Sequence, residues 1–218
     1  MTLQHLTHCI AQGEGPLLEF KQRVPAPERM AKEITAFANT QGGQVLIGVS
    51  DDGTTTGVKD AAEEEYALLR ALEKYADPPV VLKTTRIRIS RKRDIILVTV
   101  LESPDKPHYV KDPDTSRRTA YIRVEDKSVE ASREARTLMR HDVSEWDILF
   151  RIGEKERILL RYLVRCGRIT VAQFARLAGI SKSEASKTLV HLTRARMLCH
   201  HADLREDYFT QGAELLAT

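Results

Sequence analysis

Hydrophobic and polar residues follow two different periods along this chain, and each change of period marks a new element. Apolar residues three or four positions apart predict helices at Leu3–Ile10, Met30–Ala38 and Ala61–Ala76. Strict alternation in Arg86–Ser90, then a polar turn and the apolar stretch Ile95–Val100, predict a β-hairpin. The N-terminal part of the chain therefore combines helices with strands.

A short alternating segment predicts a strand that carries two charges on one face. In Leu18–Lys21 the side chains of Glu19 and Lys21 share a face, because successive side chains of a strand point to opposite sides. A helix that begins at Pro27 leads to Val45–Val49, an unbroken apolar run. Such a run predicts a strand that is covered on both faces.

The first domain is expected to end near residue 141. Two further strands are predicted at 107–110 and 119–124, and a short helix at Ser132–Arg140 is expected to close the domain. The fold class predicted for residues 1–141 is α+β, with a mixed sheet and flanking helices.

From residue 145 onwards the pattern changes to helices followed by a hairpin. Helices are predicted at Glu154–Arg165, Val171–Ala178 and Lys182–Arg196, and alternating residues at 197–201 and 208–210 follow them. Two capping boxes, Ser/Thr-x-x-Glu/Gln, define the starts of the second and third helices. This order resembles a winged helix, so we expect a mainly helical winged-helix domain in residues 145–218.

Composition and charge exclude several classes of protein. A chain of 218 residues with 42% hydrophobic content is long enough for two small domains with apolar cores. No apolar run approaches the ~20 residues of a membrane span and no export signal is visible, so a cytoplasmic protein without membrane contact is expected. The net charge of +3 lies in residues 145–218, which hold 12 Lys/Arg against 9 Asp/Glu. This surplus is a weak indication of an anionic partner.

Three segments of the first domain resemble the Schlafen-type AlbA-like domain. They are Glu14 followed five residues later by Glu19-Phe20-Lys21, the segment Ala36–Gly43, and the turn Gly48–Gly53. The resemblance continues less tightly through 77–79, 106–109 and 121–124. It implies an AlbA-like mixed sheet and a nucleic acid as partner.

The resemblance also implies a metal-dependent site that cuts RNA. In the animal Schlafens two Glu and one Asp form this site; Glu14 and Glu19 match by spacing, and the Asp matches Asp51 or, with one slip, Asp52. A turn at Gly15-Pro16 would bring the two glutamates together. Converging carboxylates repel each other, and a hard divalent cation, Mg²⁺ or Mn²⁺, relieves that repulsion. The alternative is that all four are ordinary charges at strand ends and turns.

Basic and small polar residues are the candidates for nucleic-acid contact. Those of the first domain lie on or beside strands: Lys21, Arg86, Arg88, Lys106, Arg117, Arg118 and Arg123. Backbone contact is favoured there, because aromatic residues for base stacking are sparse. Those of the second domain lie on one face of its third helix: Ser183, Ser186, Lys187 and Arg194. Such a face suits a major groove, although it is also typical of ordinary solvated surface.

Two functions are compatible with these patterns. One is a divalent-metal-dependent endoribonuclease that acts on structured RNA such as tRNA, and the other is a non-catalytic winged-helix regulator that binds duplex DNA. No bound nucleotide is expected, because the Gly42-Gly43 pair follows a helix and no phosphate-binding loop motif occurs. The animal relatives carry two such lobes in one chain, so the resemblance implies a homodimer here.

Overall fold

A computed structural model describes residues 3–140 and 153–212, with side chains from residue 6 onwards, and the chain divides into two compact units. The first unit is Met1–Ala131 and the second is Ser132–Thr218. The boundary predicted at 141–145 lies outside the described residues.

The described part of the first unit contains helices and two four-stranded sheets. Its elements are α1 Leu3–Gln12, β1 Leu18–Lys21, α2 Pro27–Asn39, β2 Gly43–Ile47, α3 Ala61–Tyr75, β3 Ala76–Asp77, β4 Leu82–Ser90, β5 Arg93–Val100, β6 Tyr109–Lys111, β7 Arg118–Val124 and β8 Lys127–Glu130. The strand orders are β1-β2-β5-β4 and β3-β6-β7-β8. Only the β1–β2 pair among these is parallel, so the first sheet is mixed, as predicted.

Strand β2 is buried on both faces, which confirms the prediction from its apolar run. Val45, Leu46 and Ile47 are all fully buried. Leu46 packs in a cluster with Leu6 of α1, whereas Val45 and Ile47 pack in the cluster formed with α2 and α3. Helices therefore cover the first sheet on its two sides.

Helix α2 packs against strands of both sheets, and a buried asparagine attaches it to the second one. The side-chain amide of Asn39 donates to the carbonyls of His108 and Tyr121, both at 2.8 Å, and its oxygen accepts the backbone N–H of His108 at 2.7 Å. The imidazole of His108 is itself buried and bonds to the carbonyl of Pro78 and the hydroxyl of Ser103. His108 therefore has the structural role of a buried hydrogen-bonding side chain.

The second unit is a group of helices with a small antiparallel sheet. Its described elements are α4 Arg133–Met139, α5 Glu154–Cys166, β9 Arg168–Ile169, α6 Val171–Ala178, α7 Lys182–Arg194, β10 Leu198–His201 and β11 Tyr208–Gln211. The strand order is β10-β11-β9. The apolar core is built from all of these except α4, with Phe174, Leu189 and Phe209 among its fully buried side chains.

Local hydrogen bonds define the starts of α6 and α7. Thr170 and Gln173 form a complete capping box, with hydrogen bonds of 3.3 and 2.9 Å, as predicted. Ser181 accepts the N–H of Glu184 at 3.1 Å, but the carboxylate of Glu184 contacts Lys155 at 2.8 Å instead of returning to the cap. The second predicted box is therefore only half formed.

Helix α4 belongs to the second unit, whereas the sequence pattern places it at the end of the first domain. Its N-cap Ser132 accepts the N–H of Ala135 at 2.9 Å and donates to Asp207 at 2.5 Å. Glu134 accepts a hydrogen bond from Ser186 of α7. The pattern did not indicate these partners, because they lie more than fifty residues further along the chain. Strands β3, β8 and β9 were also missed; β3 and β9 have two residues each, which is too few to show a period.

Candidate functional site

The bend between the two predicted glutamates is present. The backbone N–H of Gly15 donates to the carbonyl of Leu18 at 2.9 Å, so the chain turns back on itself before β1. This turn brings the carboxylate of Glu14 alongside the strand, where it accepts the backbone N–H of Phe20 at 2.7 Å. Glu14 thereby satisfies a donor of β1.

Glu19, which the family resemblance predicts to bind a metal, is buried and ion-paired. Only 6% of its surface is exposed. One carboxylate oxygen contacts the ammonium of Lys21, which confirms that these two side chains share a face of β1. The other oxygen lies 3.0 Å from Nη1 of Arg123.

Arg123 is the centre of a buried polar cluster. Its Nη1 also lies 3.1 Å from Glu33 of α2 and 3.3 Å from the hydroxyl of Ser128. Its Nη2 donates to the carbonyl of Gly15 at 2.8 Å, so it holds the bend described above. The contact set corrects the prediction that Arg123 binds nucleic acid, because a guanidinium that is 5% exposed and surrounded by protein partners presents no surface to a phosphate.

The guanidinium of Arg123 also packs over an aromatic ring. Its central carbon lies 4.6 Å from the ring centroid of Phe37, a cation–π contact inside the core. Its Nε is buried without a hydrogen-bond partner among the described residues. Both terminal nitrogens of the Arg123 guanidinium thus have hydrogen-bond partners, whereas its Nε has none among the described residues.

Burial raises the pKa of Glu19, and its partners oppose that rise. Desolvation of the carboxylate is the largest cause, whereas the hydrogen bond from Lys21 and the charges of Lys21 and Arg123 lower the pKa. Glu33 adds to the rise as a second carboxylate nearby. The cluster therefore keeps two carboxylates close together by placing a guanidinium between them.

The two aspartates predicted to complete the site lie in an exposed turn after β2. Asp52 accepts the backbone N–H of Thr54 at 2.8 Å, which is a local turn bond. Hydrogen bonds from Thr54 hold the pKa of Asp52 below its usual value. Asp51 is exposed beside it. Asp51 and Asp52 thus belong to a turn, as the sequence Asp51-Asp52-Gly53 predicts.

The carboxylates predicted to bind a metal do not form a metal-binding group. In residues 6–140 and 153–212, no three His, Cys, Asp or Glu side chains are arranged so that they could hold a metal ion. The oxygens of Glu19 already contact Lys21 and Arg123, and Glu14 contacts the backbone of β1. The residues present therefore do not fit Mg²⁺ or Mn²⁺ in this arrangement.

The other candidate cations of the first unit are each paired with a carboxylate. The pairs are Arg86 with Glu65 at 2.5 Å, Arg88 with Asp94 at 3.3 Å, Lys106 with Glu102 at 2.5 Å, Arg117 with Glu130 at 3.7 Å and Arg118 with Asp77 at 2.9 Å. All of these arginines are exposed. Their positive charge is present at the surface but is compensated nearby.

Half of the predicted contact face of α7 is covered by α4. Ser186 is buried and donates to Glu134, and Arg194 donates to the backbone carbonyls of Thr137 and Arg140 at 2.9 and 3.4 Å. Ser183 and Lys187 are exposed, as a groove-binding face requires. Of the residues predicted for this face, Ser183 and Lys187 therefore remain accessible. His191, four residues after Lys187, is exposed on the same face.

A basic segment of the second unit was not identified from the sequence pattern. Residues 157–183 contain six Lys/Arg and no Asp/Glu. Three of the arginines, Arg157, Arg161 and Arg165, are exposed along α5. Counting charges in windows of about 25 residues would have found the segment. The total for residues 145–218, 12 Lys/Arg against 9 Asp/Glu, does not show it.

Sequence and structure comparisons relate the chain to known proteins. The model of the family described as Schlafen, AlbA_2 matches residues 14–132. No curated protein matches the chain. The crystal structure of the DIP2311 protein from Corynebacterium diphtheriae is similar with 15% sequence identity and a TM-score of 0.40, over 60% of this chain and 32% of that protein's length. No helix in the described part of the chain is long and apolar enough to cross a membrane.

Proposed function

Because the chain belongs to the Schlafen AlbA_2 family, we propose that it is a nucleic-acid-binding protein. The observation that carries this proposal is the family match, which covers residues 14–132 and thus more than half of the chain. The first unit has the mixed sheet expected of an AlbA-like domain.

The exposed ion pairs of the first unit are compatible with contact to a phosphate backbone. An exposed pair contributes little to stability, because water screens its attraction. A phosphate that approaches Arg86 or Arg118 can therefore replace the carboxylate partner and form a charge-assisted hydrogen bond in its place. Arg118 is already oriented by its position 4.5 Å from the ring centroid of Tyr109.

We propose that the second unit is a winged-helix domain and contributes a second surface. Its three helices α5, α6 and α7 are followed by the antiparallel hairpin β10–β11, the order of elements in that fold. Ser183, Lys187 and His191 follow one another at intervals of four residues on the exposed side of α7. A helix with this surface fits the major groove of B-form DNA better than the deep, narrow major groove of duplex RNA.

Binding to labelled nucleic acid at several salt concentrations tests the proposal. Fluorescence anisotropy with tRNA and with a mixed-sequence DNA duplex should show that the logarithm of the affinity decreases linearly with the logarithm of the salt concentration, because the cations of the protein release counterions from the phosphates. Absence of binding to both probes at low salt would refute the proposal.

Cleavage of RNA is a separate question, and the geometry favours binding without cleavage. The Glu19 carboxylate is held by Lys21 and Arg123, and moving it to a metal would leave the buried guanidinium with Glu33 as its remaining carboxylate partner. Incubation with labelled tRNA and Mn²⁺, beside a Glu19→Ala variant, should leave the RNA intact in both samples. Cleavage that is lost in the variant would instead establish the endoribonuclease.

A homodimer remains a proposal that rests on the single lobe of this chain. Two copies would rebuild the pair of lobes that the animal relatives carry. Light scattering after gel filtration should give twice the chain mass of 24.7 kDa. The mass of one chain at micromolar concentration would exclude the dimer.

A further inference from the structure

We propose that the exposed arginines of α5, here called the arginine ridge and consisting of Arg157, Arg161 and Arg165, bind the sugar–phosphate backbone of a nucleic acid. This inference rests on the proposed function and names a surface for it. A helix advances by 100° per residue, so steps of four place the three side chains on one face, about 6 Å apart along the axis.

Within the described part of the chain, two members of the ridge lack the carboxylate partners that the predicted contact arginines of the first unit, such as Arg86 and Arg118, have. Among the described residues, no Asp or Glu forms an ion pair with Arg161 or Arg165, and the partner of Arg157, Glu154, is 4.0 Å away. A phosphate can therefore approach the guanidinium groups of Arg161 and Arg165 without displacing a carboxylate. The positive potential is also extended, because residues 157–183 contain no acidic side chain.

The opposite face of α5 explains why the ridge is held in place. Leu159 and Leu163 are almost completely buried in the core of the second unit. The C-terminal end of the helix favours a cation, and this stabilises Arg165 in the last turn. That dipole effect accounts for Arg165 but not for Arg157 and Arg161, which lie before the last turn.

All three residues are arginines, which suits a phosphate. A guanidinium offers a planar set of donors that matches two phosphate oxygens at once, whereas an ammonium acts as a point charge. Val164 lies beside Arg165 and is 72% exposed, so the ridge also offers an apolar side chain that is small enough to contact a sugar. An acidic protein would be the competing partner for this charge.

The test replaces two arginines and compares them with a matched pair elsewhere. In Arg161→Gln with Arg165→Gln, the affinity for tRNA and for a mixed-sequence DNA duplex of about two helical turns (~21 bp) should fall by about tenfold or more at low salt. The slope of log affinity against log salt should decrease by about 2, because each phosphate that is no longer neutralised reduces it by about 0.9.

The control is Arg70→Gln with Lys74→Gln on α3. These residues are exposed, have the same spacing of four and remove the same charge, but they lie on a helix with four glutamates, and Arg70 pairs with Glu73 at 2.6 Å. The affinity of this control variant for tRNA and for the DNA duplex should differ from that of the native chain by less than about twofold. Circular dichroism should show that both double variants keep the helical content of the native chain.

Three outcomes separate this inference from the function on which it rests. If the native chain binds and both double variants weaken equally, or neither weakens, the ridge is not the binding surface although the protein still binds nucleic acid. If the native chain binds neither probe, both proposals fail. If only tRNA or only the duplex responds to the ridge variant, that result supports the ridge and identifies which backbone it contacts.

Discussion

In the first unit, each cation predicted to contact nucleic acid forms an ion pair with a carboxylate. In the described part of the second unit, most cations at the surface form no ion pair. Arg86, Arg88 and Arg118 each contact an acidic side chain, and Arg123 contacts two. In the described part of the second unit, Lys187, Arg161 and Arg165 have no such partner. Net charge therefore does not show where a nucleic acid can bind, because binding depends on which charges the fold leaves uncompensated.

The two units also use buried polar groups differently. In the first unit a buried arginine of β7 joins β1, α2 and β8 through Glu19, Glu33 and Ser128. In the second unit, polar contacts between Ser132, Asp207, Glu134 and Ser186 hold a short helix at the surface. The first arrangement is part of the core, and the second attaches an element that buries little apolar surface, with Ala135 its one buried side chain. Substitutions and a change of pH can test this contrast.

Loss of the buried guanidinium should be the most damaging change. Arg123→Met removes the cation between Glu19 and Glu33 and leaves Glu19 with Lys21 alone, so the first unit should lose about 3–5 kcal/mol of stability. Hydrogen exchange followed by mass spectrometry should show reduced protection in β1 and β7. The control Arg117→Met removes an exposed arginine of the same unit and should leave that protection unchanged.

A second substitution tests whether the uncompensated charge is the cause. Combining Arg123→Met with Glu19→Gln should restore part of the protection, because the buried carboxylate that lost the guanidinium is then neutral. If the double variant is no better protected than Arg123→Met, the absence of packing against Phe37 explains the damage instead.

Removal of the cap of α4 should have a smaller and local effect. Ser132→Ala removes the N-cap bond to Ala135 and the hydrogen bond to Asp207, and loss of a cap costs about 1 kcal/mol. Amides of α4 should exchange faster while those of α5 and α6 keep their rates. Ser183→Ala, which changes an exposed serine of the same unit, serves as the control. Equal exchange in α4 for native chain and variant would show that other contacts hold the helix.

The surface of α7 should respond unequally to two neighbouring substitutions. Lys187→Ala should weaken duplex binding several-fold and lower the salt slope by about 1, because an exposed cation is removed. Ser186→Ala should leave binding unchanged, because the hydroxyl of Ser186 already donates its hydrogen bond to Glu134 of α4. Equal weakening by both would mean that α4 leaves this surface when the duplex binds.

Acidification should destabilise the second unit through His201. Burial and the charge of His200 lower the pKa of His201 below its ordinary value near 6.5. The unfolded chain then binds a proton that the folded chain does not, so the contribution to stability is complete above pH ~6.5 and is lost as the pH falls through the lower folded pKa. Thermal melts between pH about 7.5 and about 5.5 should show this loss.

A histidine variant checks the assignment, and an aspartate extends the trend to lower pH. His201→Gln should reduce the pH dependence, whereas His191→Gln, at an exposed histidine of the same unit, should preserve it. Burial alone raises the pKa of Asp207, but hydrogen bonds from His200 and Ser132 outweigh it and the net shift is downward. Its contribution is therefore present above the ordinary value near 3.8 and is lost in more acidic solution. A pH dependence that His201→Gln leaves intact would contradict the role of that imidazole.

The sequence by itself determined the elements whose signals are local. Pro27 begins α2, Thr170 and Gln173 cap α6, and the apolar run after Gly42-Gly43 becomes a strand that is buried on both faces. Each of these depends on residues within a few positions of one another, so periodicity and capping rules suffice. The three short segments that carry the family resemblance were visible for the same reason, and the family model that matches residues 14–132 confirms it.

Only the tertiary structure decided which charged groups meet. Glu19 and Arg123 are 104 residues apart, and neither spacing nor composition indicates that they pair inside the core. The same holds for Ser186 and Glu134, which place α4 on the second unit. A charge is buried only where a partner compensates its desolvation, and the partner depends on which distant strands and helices the fold brings side by side.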